Sequence, residues 1–196
     1  ITAAVAEHDL PPGTFSLIAG ASPDIAVALV THPSIRAVGF TGSRQAGLAL
    51  TAAAQNRPVP IPVFAEMASI NPVFVLPGAL EIRAAEIGAG LIGSVLTGFG
   101  QLCTSPGLVF VPDTPAADDL VATAGAAIDQ ASAGCMLTPR IAASFAAGVE
   151  RFAAVPGVRR VAQSPMDQTI AALCTPTLFE TDLDTFLAYH EELAVE

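Results

Sequence analysis

Three stretches of this chain combine residue types that could do chemistry. In TGFGQLCTSPGLV, Thr97 to Val109, a single cysteine stands among glycines, small hydroxyls and one proline. Glycine gives close backbone access at such a turn, and main-chain N–H groups can point at the oxyanion formed when a thiolate adds to a carbonyl. Cys103 is thus a candidate nucleophile, with a cysteine that packs as a small hydrophobe as the alternative. The second stretch is VFAEMASINP, where Glu66 is a lone carboxylate among apolar residues. Desolvation there would raise its pKa toward the range of a general base, whereas a strand-end glutamate facing solvent is the plain alternative. The third is GFTGSRQAG, Gly39 to Gly47, a strand, a glycine turn and a helix start whose free N–H groups and positive dipole end favour an anionic group such as a pyrophosphate. GSxxxG is not the GxGxxG fingerprint, and such turns also occur where nothing binds.

Other chemistries lack their parts. Cys103, Cys135 and Cys174 have no CxxC spacing, so neither a disulfide framework nor a zinc ribbon is suggested and no metal site is expected. A reducing, cytoplasmic compartment follows. A cysteine hydrolase needs a histidine to take the thiol proton, but His8, His32 and His190 lie near predicted helix ends, and none neighbours Cys103 or Glu66 in sequence.

The elements that must position these residues alternate between strand-length and helix-length apolar runs, the pattern of an α/β fold with a largely parallel sheet. Phe15 to Gly20 reads as a strand, and Ser22-Pro23-Asp24 opens a helix to about Val30 with Ser at N-cap and Pro at N1. Ile35 to Phe40 is a strand, Thr41-Gly42-Ser43 a tight turn, and Arg44 to Gln55 an alanine-rich helix. Beyond the proline-rich NRPVPIP, VFAEM is a short strand carrying Glu66. NPVFVLPGAL is strand then turn, Glu81 to about Leu96 a helix, and GLVFVP a strand after the cysteine turn. Helices follow at Asp118 to Ala131 and Thr138 to Ala153. Shorter strands are expected at Val158 to Ala162, Ile170 to Leu173 and Thr177 to Phe179, with a closing helix around Leu183 to Leu193.

Composition sets the outer limits. Hydrophobic residues make up 52% and charged residues 13%, against roughly 25% charged in an ordinary domain. Much of the surface that this chain would expose alone is thus expected to be covered by further chain or a partner subunit. A formal charge of −10 with only eight Lys and Arg opposes binding to a phosphate backbone, which excludes nucleic acid as a partner. Ile87 to Pro112 has no charged residue and the length of a membrane span. Its glycines, Gln101, Pro106 and hydroxyl side chains make a buried helix, a turn and a buried strand the better reading, with no membrane partner. The chain starts at Ile1 with no signal-peptide pattern and stops at HEELAVE without a helix cap, as an excised piece would.

Taken together, FTGSRQAG at Phe40 to Gly47, the EM-type motif at Glu66 and GQLC at Gly100 to Cys103 resemble the aldehyde dehydrogenase superfamily. LPPGTFSLIAG at Leu10 to Gly20 and ALVTHPSIRAVGFTGS at Ala28 to Ser43 extend the resemblance over nearly the whole chain. It implies a partial three-layer α/β/α fold, with residues 1–65 as the end of an NAD(P)-binding domain and 66–196 as the first part of a catalytic domain. It also implies that Cys103 attacks an aldehyde, that hydride leaves to NADP or NAD, and that Glu66 activates the water that hydrolyses the resulting thioester. Phe40, Thr41, Gly42, Ser43, Gly47 and Met67 are then expected at the cofactor. Glu196 is expected at its ribose, with Glu191 and Glu192 as rivals. EMASINP and CTSPGLV, in place of the usual ELGG and of an arginine shortly after the cysteine, resemble the ketoglutarate semialdehyde (2,5-dioxopentanoate) and fatty-aldehyde branch. The family's oxyanion asparagine and cofactor lysine would precede Ile1. A homodimeric or homotetrameric parent is implied, and the chain alone is expected to be inactive, an interaction or structural fragment of such an enzyme.

Overall fold

A computed structural model describes residues 1–196 other than Ala21, Ala68, Gln168, Ile170 and Glu196. The chain forms two compact units, Ile1–Ala68 and Ser69–Glu196.

The first unit contains α1 (Thr2–Glu7), α2 (Pro23–Thr31), β1 (Val38–Gly42), α3 (Arg44–Gln55) and β2 (Val63–Met67). α2 begins where its capping residues dictate: the Ser22 hydroxyl accepts from the Asp24 N–H, and Pro23 occupies the first turn, where its missing N–H costs nothing. α3 is capped in the same way, with Ser43 accepting from Ala46. β1 and β2 run parallel, with Phe40 opposite Ala65, Thr41 opposite Glu66 and Gly42 opposite Met67. The ladder carries β1 through Thr41 and Gly42, so these residues are strand rather than the expected turn. Alternation sends Val38, Phe40 and Val63 into a core with Val30, Leu50, Ala54 and Ile61 beneath α2 and α3. Gly39, Thr41, Phe64 and Glu66 face the other way and are exposed. Phe15 to Gly20 forms no strand. Leu17 is 81% exposed, and an apolar run with no neighbouring strand to pair with has no ladder to hold it extended.

The second unit contains β3 (Val73–Phe74), α4 (Pro77–Leu96), β4 (Val109–Phe110), α5 (Pro115–Asp129), β5 (Gly134–Cys135), α6 (Pro139–Ala154), β6 (Arg159–Gln163), β7 (Leu173–Cys174), β8 (Thr177–Glu180), α7 (Leu183–Ala188) and α8 (His190–Leu193). α4, α5 and α6 each open on a proline. Pro77 therefore starts α4 four residues before the expected Glu81. β3 and β4 pair parallel beside α4 and α5, over a core of Val75, Leu80, Ala84, Ala117 and Leu120. β5–β7 and β6–β8 are antiparallel, beside the parallel β1–β2 and β3–β4 pairs that the α/β pattern led to expect. No described helix lies between β6 and β8, and a parallel pairing requires a crossover of helix length. The strand expected from Ile170 is seen as Leu173–Cys174, Ile170 itself lying outside the described residues. The closing helix divides at Tyr189, whose φ of −120° and ψ of 31° are not helical. Among the described residues no helix is long and apolar enough to cross a membrane. Ile87 to Pro112 resolves into the end of α4, a turn and β4.

Candidate active site

The cysteine turn is built by an uncommon backbone. After α4, Gly98, Phe99 and Gly100 have φ of 66°, 52° and 75°, three successive left-handed residues. Glycine adopts this readily, but a bulky L-residue there costs on the order of 1–2 kcal/mol. Phe99 is held by packing: its ring lies where a side chain on Gly134 would sit, against the buried cluster of Met136, Ala142 and Cys174. Gln101 reinforces the turn from the same side. Its Oε1 accepts from the Leu137 N–H at 2.8 Å, and its Nε2 donates to the carbonyls of Gly98 at 3.0 Å and Cys135 at 3.4 Å.

Cys103 follows in an exposed turn, and its carbonyl is held from the opposite strand connection. Ser69 Oγ donates to that carbonyl at 2.7 Å and Asn71 Nδ2 at 2.8 Å, while the same Nδ2 reaches the carbonyl of Ser105 at 2.9 Å. Asn71 has a φ of 47°, a conformation that Asn tolerates better than most residues. The Gly107 N–H donates to the carbonyl of Ile70 at 2.7 Å, and the Val73 N–H to that of Leu108 at 2.9 Å, so the clamp continues the β3–β4 pairing.

The other two thiols are placed differently. Cys174 is buried in the hydrophobic cluster under Phe99, and burial pushes its thiol up to about 11. Cys135 is exposed, but its sulfur hydrogen-bonds the carbonyls of Ala171 at 3.1 Å and Met136 at 3.4 Å. Among the described residues, the Cys103 sulfur makes no hydrogen bond, and no histidine bonds it. His32 instead accepts from the Ser34 N–H, and His190 Nδ1 lies 3.0 Å from the carbonyl of Leu187.

In the first unit, Glu66 lies opposite Thr41 on the open face of the β1–β2 pair. With Gly39, Phe40, Phe64 and Ala65 these residues line a concavity of about 550 Å³. Glu66 is exposed, so the apolar surroundings expected of it are not supplied by its own unit. At the end of β1 the exposed Thr41, Gly42 and Ser43 lead into the first turn of α3. Ser43 satisfies Ala46 and Gly47 there, leaving the N–H groups of Arg44 and Gln45 without an intrahelical acceptor. An exposed helix start with two free N–H groups and a bare glycine fits a phosphate group. Behind it, Phe40 and Met67 crowd Gly47, where an added Cβ would collide with the Met67 sulfur, so these three pack α3 onto the strands. Glu191 and Glu192 stand in α8, and Glu196 lies outside the described residues.

Sequence reading missed Ser69, Asn71 and Gln101. The only local signal was Asn before Pro72, a pair that disfavours helix and suits a special backbone conformation.

The sequence profile described as the aldehyde dehydrogenase family matches residues 1–156. Alpha-ketoglutaric semialdehyde dehydrogenase 2 of Azospirillum brasilense is 45% identical over 188 residues, covering 96% of this chain and 36% of that protein. Alpha-ketoglutaric semialdehyde dehydrogenase of Acinetobacter baylyi is 36% identical over 196 residues, covering all of this chain and 37% of that protein. The chain thus spans little more than a third of the length of these curated relatives. Among solved structures, a salicylaldehyde dehydrogenase from Pseudomonas putida G7 superposes with a TM-score of 0.72 at 26% identity, over 94% of this chain and 39% of its own. Proline utilization A of Bradyrhizobium japonicum superposes with a TM-score of 0.76 at 23% identity, over 92% of this chain and 19% of its own, a likeness of fold.

Proposed function

Since the chain belongs to the aldehyde dehydrogenase family, we propose that it is part of a cytoplasmic NAD(P)-dependent enzyme that oxidises alpha-ketoglutaric semialdehyde (2,5-dioxopentanoate) to the carboxylate. The carrying observation is the Cys103 turn: an exposed thiol on a backbone fixed from two sides, while Cys174 is buried and the sulfur of Cys135 is hydrogen-bonded. The substrate assignment rests on the two relatives whose names state it.

In this reading the Cys103 thiolate forms a C–S bond to the aldehyde carbon, and the carbonyl oxygen becomes an oxyanion facing the N–H groups of the turn. Hydride acceptance, which leaves a thioester on the sulfur, is the chemistry that a bound nicotinamide dinucleotide supplies. Thr41, Gly42 and Ser43 would hold its phosphates at the start of α3, backed by Phe40, Gly47 and Met67. Glu66 then takes a proton from water as the water oxygen attacks the thioester, releasing the carboxylic acid and the thiolate. The parent enzyme is a homodimer or homotetramer.

The test is rapid-mixing kinetics on the longer parent enzyme with alpha-ketoglutaric semialdehyde and NAD⁺ or NADP⁺. The expected result is a burst of reduced cofactor that survives in Glu66→Gln while steady turnover falls on the order of 10²-fold or more. Equal loss in both phases would remove Glu66 from deacylation. Failure of the wild type to reduce either cofactor with this aldehyde, while oxidising another, would overturn the substrate.

A further inference from the structure

We propose that Asn71, seconded by Ser69, is a positioning residue for the nucleophile: its amide sets the peptide plane that follows Cys103. This rests on Cys103 being the nucleophile. Three side-chain hydrogen bonds of 2.7–2.9 Å converge on two carbonyls of the cysteine turn, and two of them share the Cys103 oxygen. In a trans peptide the C=O and the following N–H point in opposite directions. Turning the Cys103 carbonyl toward Ser69 and Asn71 therefore turns the Thr104 N–H away from them, and fixes the backbone rotation on which the thiol's direction depends. The anchor is itself rigid. Asn71 is left-handed at φ 47°, is followed by Pro72 with its locked φ, and lies between the Ile70–Gly107 and Val73–Leu108 backbone bonds.

An amide is required for this task. One NH₂ group offers two donors, one for each carbonyl, whereas a hydroxyl offers one and a carboxylate none. Gly and Asp both accept positive φ, so Asn71→Gly and Asn71→Asp remove the donors while leaving the backbone conformation available. An Asp would also set negative charge against two carbonyl oxygens.

The experiment compares wild type, Asn71→Gly, Asn71→Asp, Ser69→Ala and Cys103→Ser in the longer parent enzyme, using alpha-ketoglutaric semialdehyde and the cofactor it prefers. The burst rate is expected to fall on the order of 10²-fold in both Asn71 variants, and by less in Ser69→Ala. Cofactor affinity, KM and the thermal midpoint are expected to stay near wild type. Alkylation of Cys103 by iodoacetamide should remain within a few-fold of wild type, because a small reagent needs access and thiolate but no fixed trajectory. A wild-type burst in Asn71→Gly and Asn71→Asp, with Cys103→Ser inert, overturns the positioning role and leaves the nucleophile assignment standing. A burst loss matched by equal losses in cofactor affinity or thermal midpoint assigns Asn71 to the general fold, and also overturns it. A full burst in Cys103→Ser overturns the reading on which the proposal rests.

Discussion

A thiol's use is decided by its surroundings, and the three cysteines differ in each relevant respect. Cys103 is exposed on a turn, the Cys135 sulfur already bonds two carbonyls, and Cys174 is enclosed with its thiol pushed up to about 11. Rate of alkylation follows thiolate fraction and access. Brief iodoacetamide treatment of the parent enzyme near pH 8 is expected to label Cys103 first and Cys135 more slowly, with Cys174 reacting only once the fold opens. Cys103→Ser is expected to abolish oxidation with little change in thermal midpoint, since an exposed turn thiol contributes little to the core. Peptide mapping of the labelled protein checks the order, and label appearing first on Cys135 or Cys174 would remove Cys103 from the chemistry. The glycine turn that carries Cys103 was legible in TGFGQLC. The clamp was not, because Asn71 reaches its carbonyl across 32 positions of sequence, and no local pattern reports which carbonyl a side-chain amide will meet.

At the scale of elements, α2, α3 and α6 were legible because their starts are written in capping residues. Pro77 and Pro115, by contrast, open α4 and α5 ahead of the expected Glu81 and Asp118, and α1 was not expected. Ser43, Thr138 and Asp182 each accept a backbone N–H at a helix start, and Pro23, Pro77, Pro115 and Pro139 occupy first turns. Strand partners were not legible: the short strands after α5 pair antiparallel through contacts that periodicity does not encode. Glycines within α4 show how packing overrides local preference. A Cβ on Gly88 would stand 2.6 Å from the carbonyl oxygen of Leu120 in α5, and 3.3 Å from the Ala124 nitrogen, whereas one on Gly90 would meet nothing within 4 Å. Replacing a helical glycine by alanine gains up to about 1 kcal/mol of helix propensity, and overpacking against fixed backbone costs about 1–3 kcal/mol. Gly88→Ala is therefore expected to destabilise the chain and Gly90→Ala to stabilise it by about 0.5–1 kcal/mol. Thermal denaturation of the two variants gives the sign directly, and a rise in midpoint for Gly88→Ala would mean that α4 and α5 can part more easily than their contact suggests.

Across the whole molecule, the residues assigned to one reaction are divided between two units: Glu66 and the start of α3 in Ile1–Ala68, Cys103 and its clamp in Ser69–Glu196. Parallel strands are normally covered on both faces, yet the β1–β2 pair leaves Phe64 71% exposed beside Glu66, and only 13% of the chain is charged. As the proposed general base, Glu66 on an open sheet face would work in bulk water. An oxyanion donor supplied by chain outside residues 1–196, as the family resemblance implies, would be worth roughly 10²–10³-fold in rate. Purified residues 1–196 are thus expected to give no reduced cofactor above background under conditions where the longer parent enzyme turns over. The Cys103 clamp, by contrast, lies wholly within the second unit, from Ser69 and Asn71 to Gln101 and Leu137. The isolated chain should therefore still alkylate at Cys103 ahead of Cys135 and Cys174, with the thiol correctly set but the reaction missing its surroundings. Turnover by the isolated chain at the parent's rate would show that the two units suffice. Loss of the alkylation order in the isolated chain would show instead that the cysteine turn depends on parts beyond the unit that contains it.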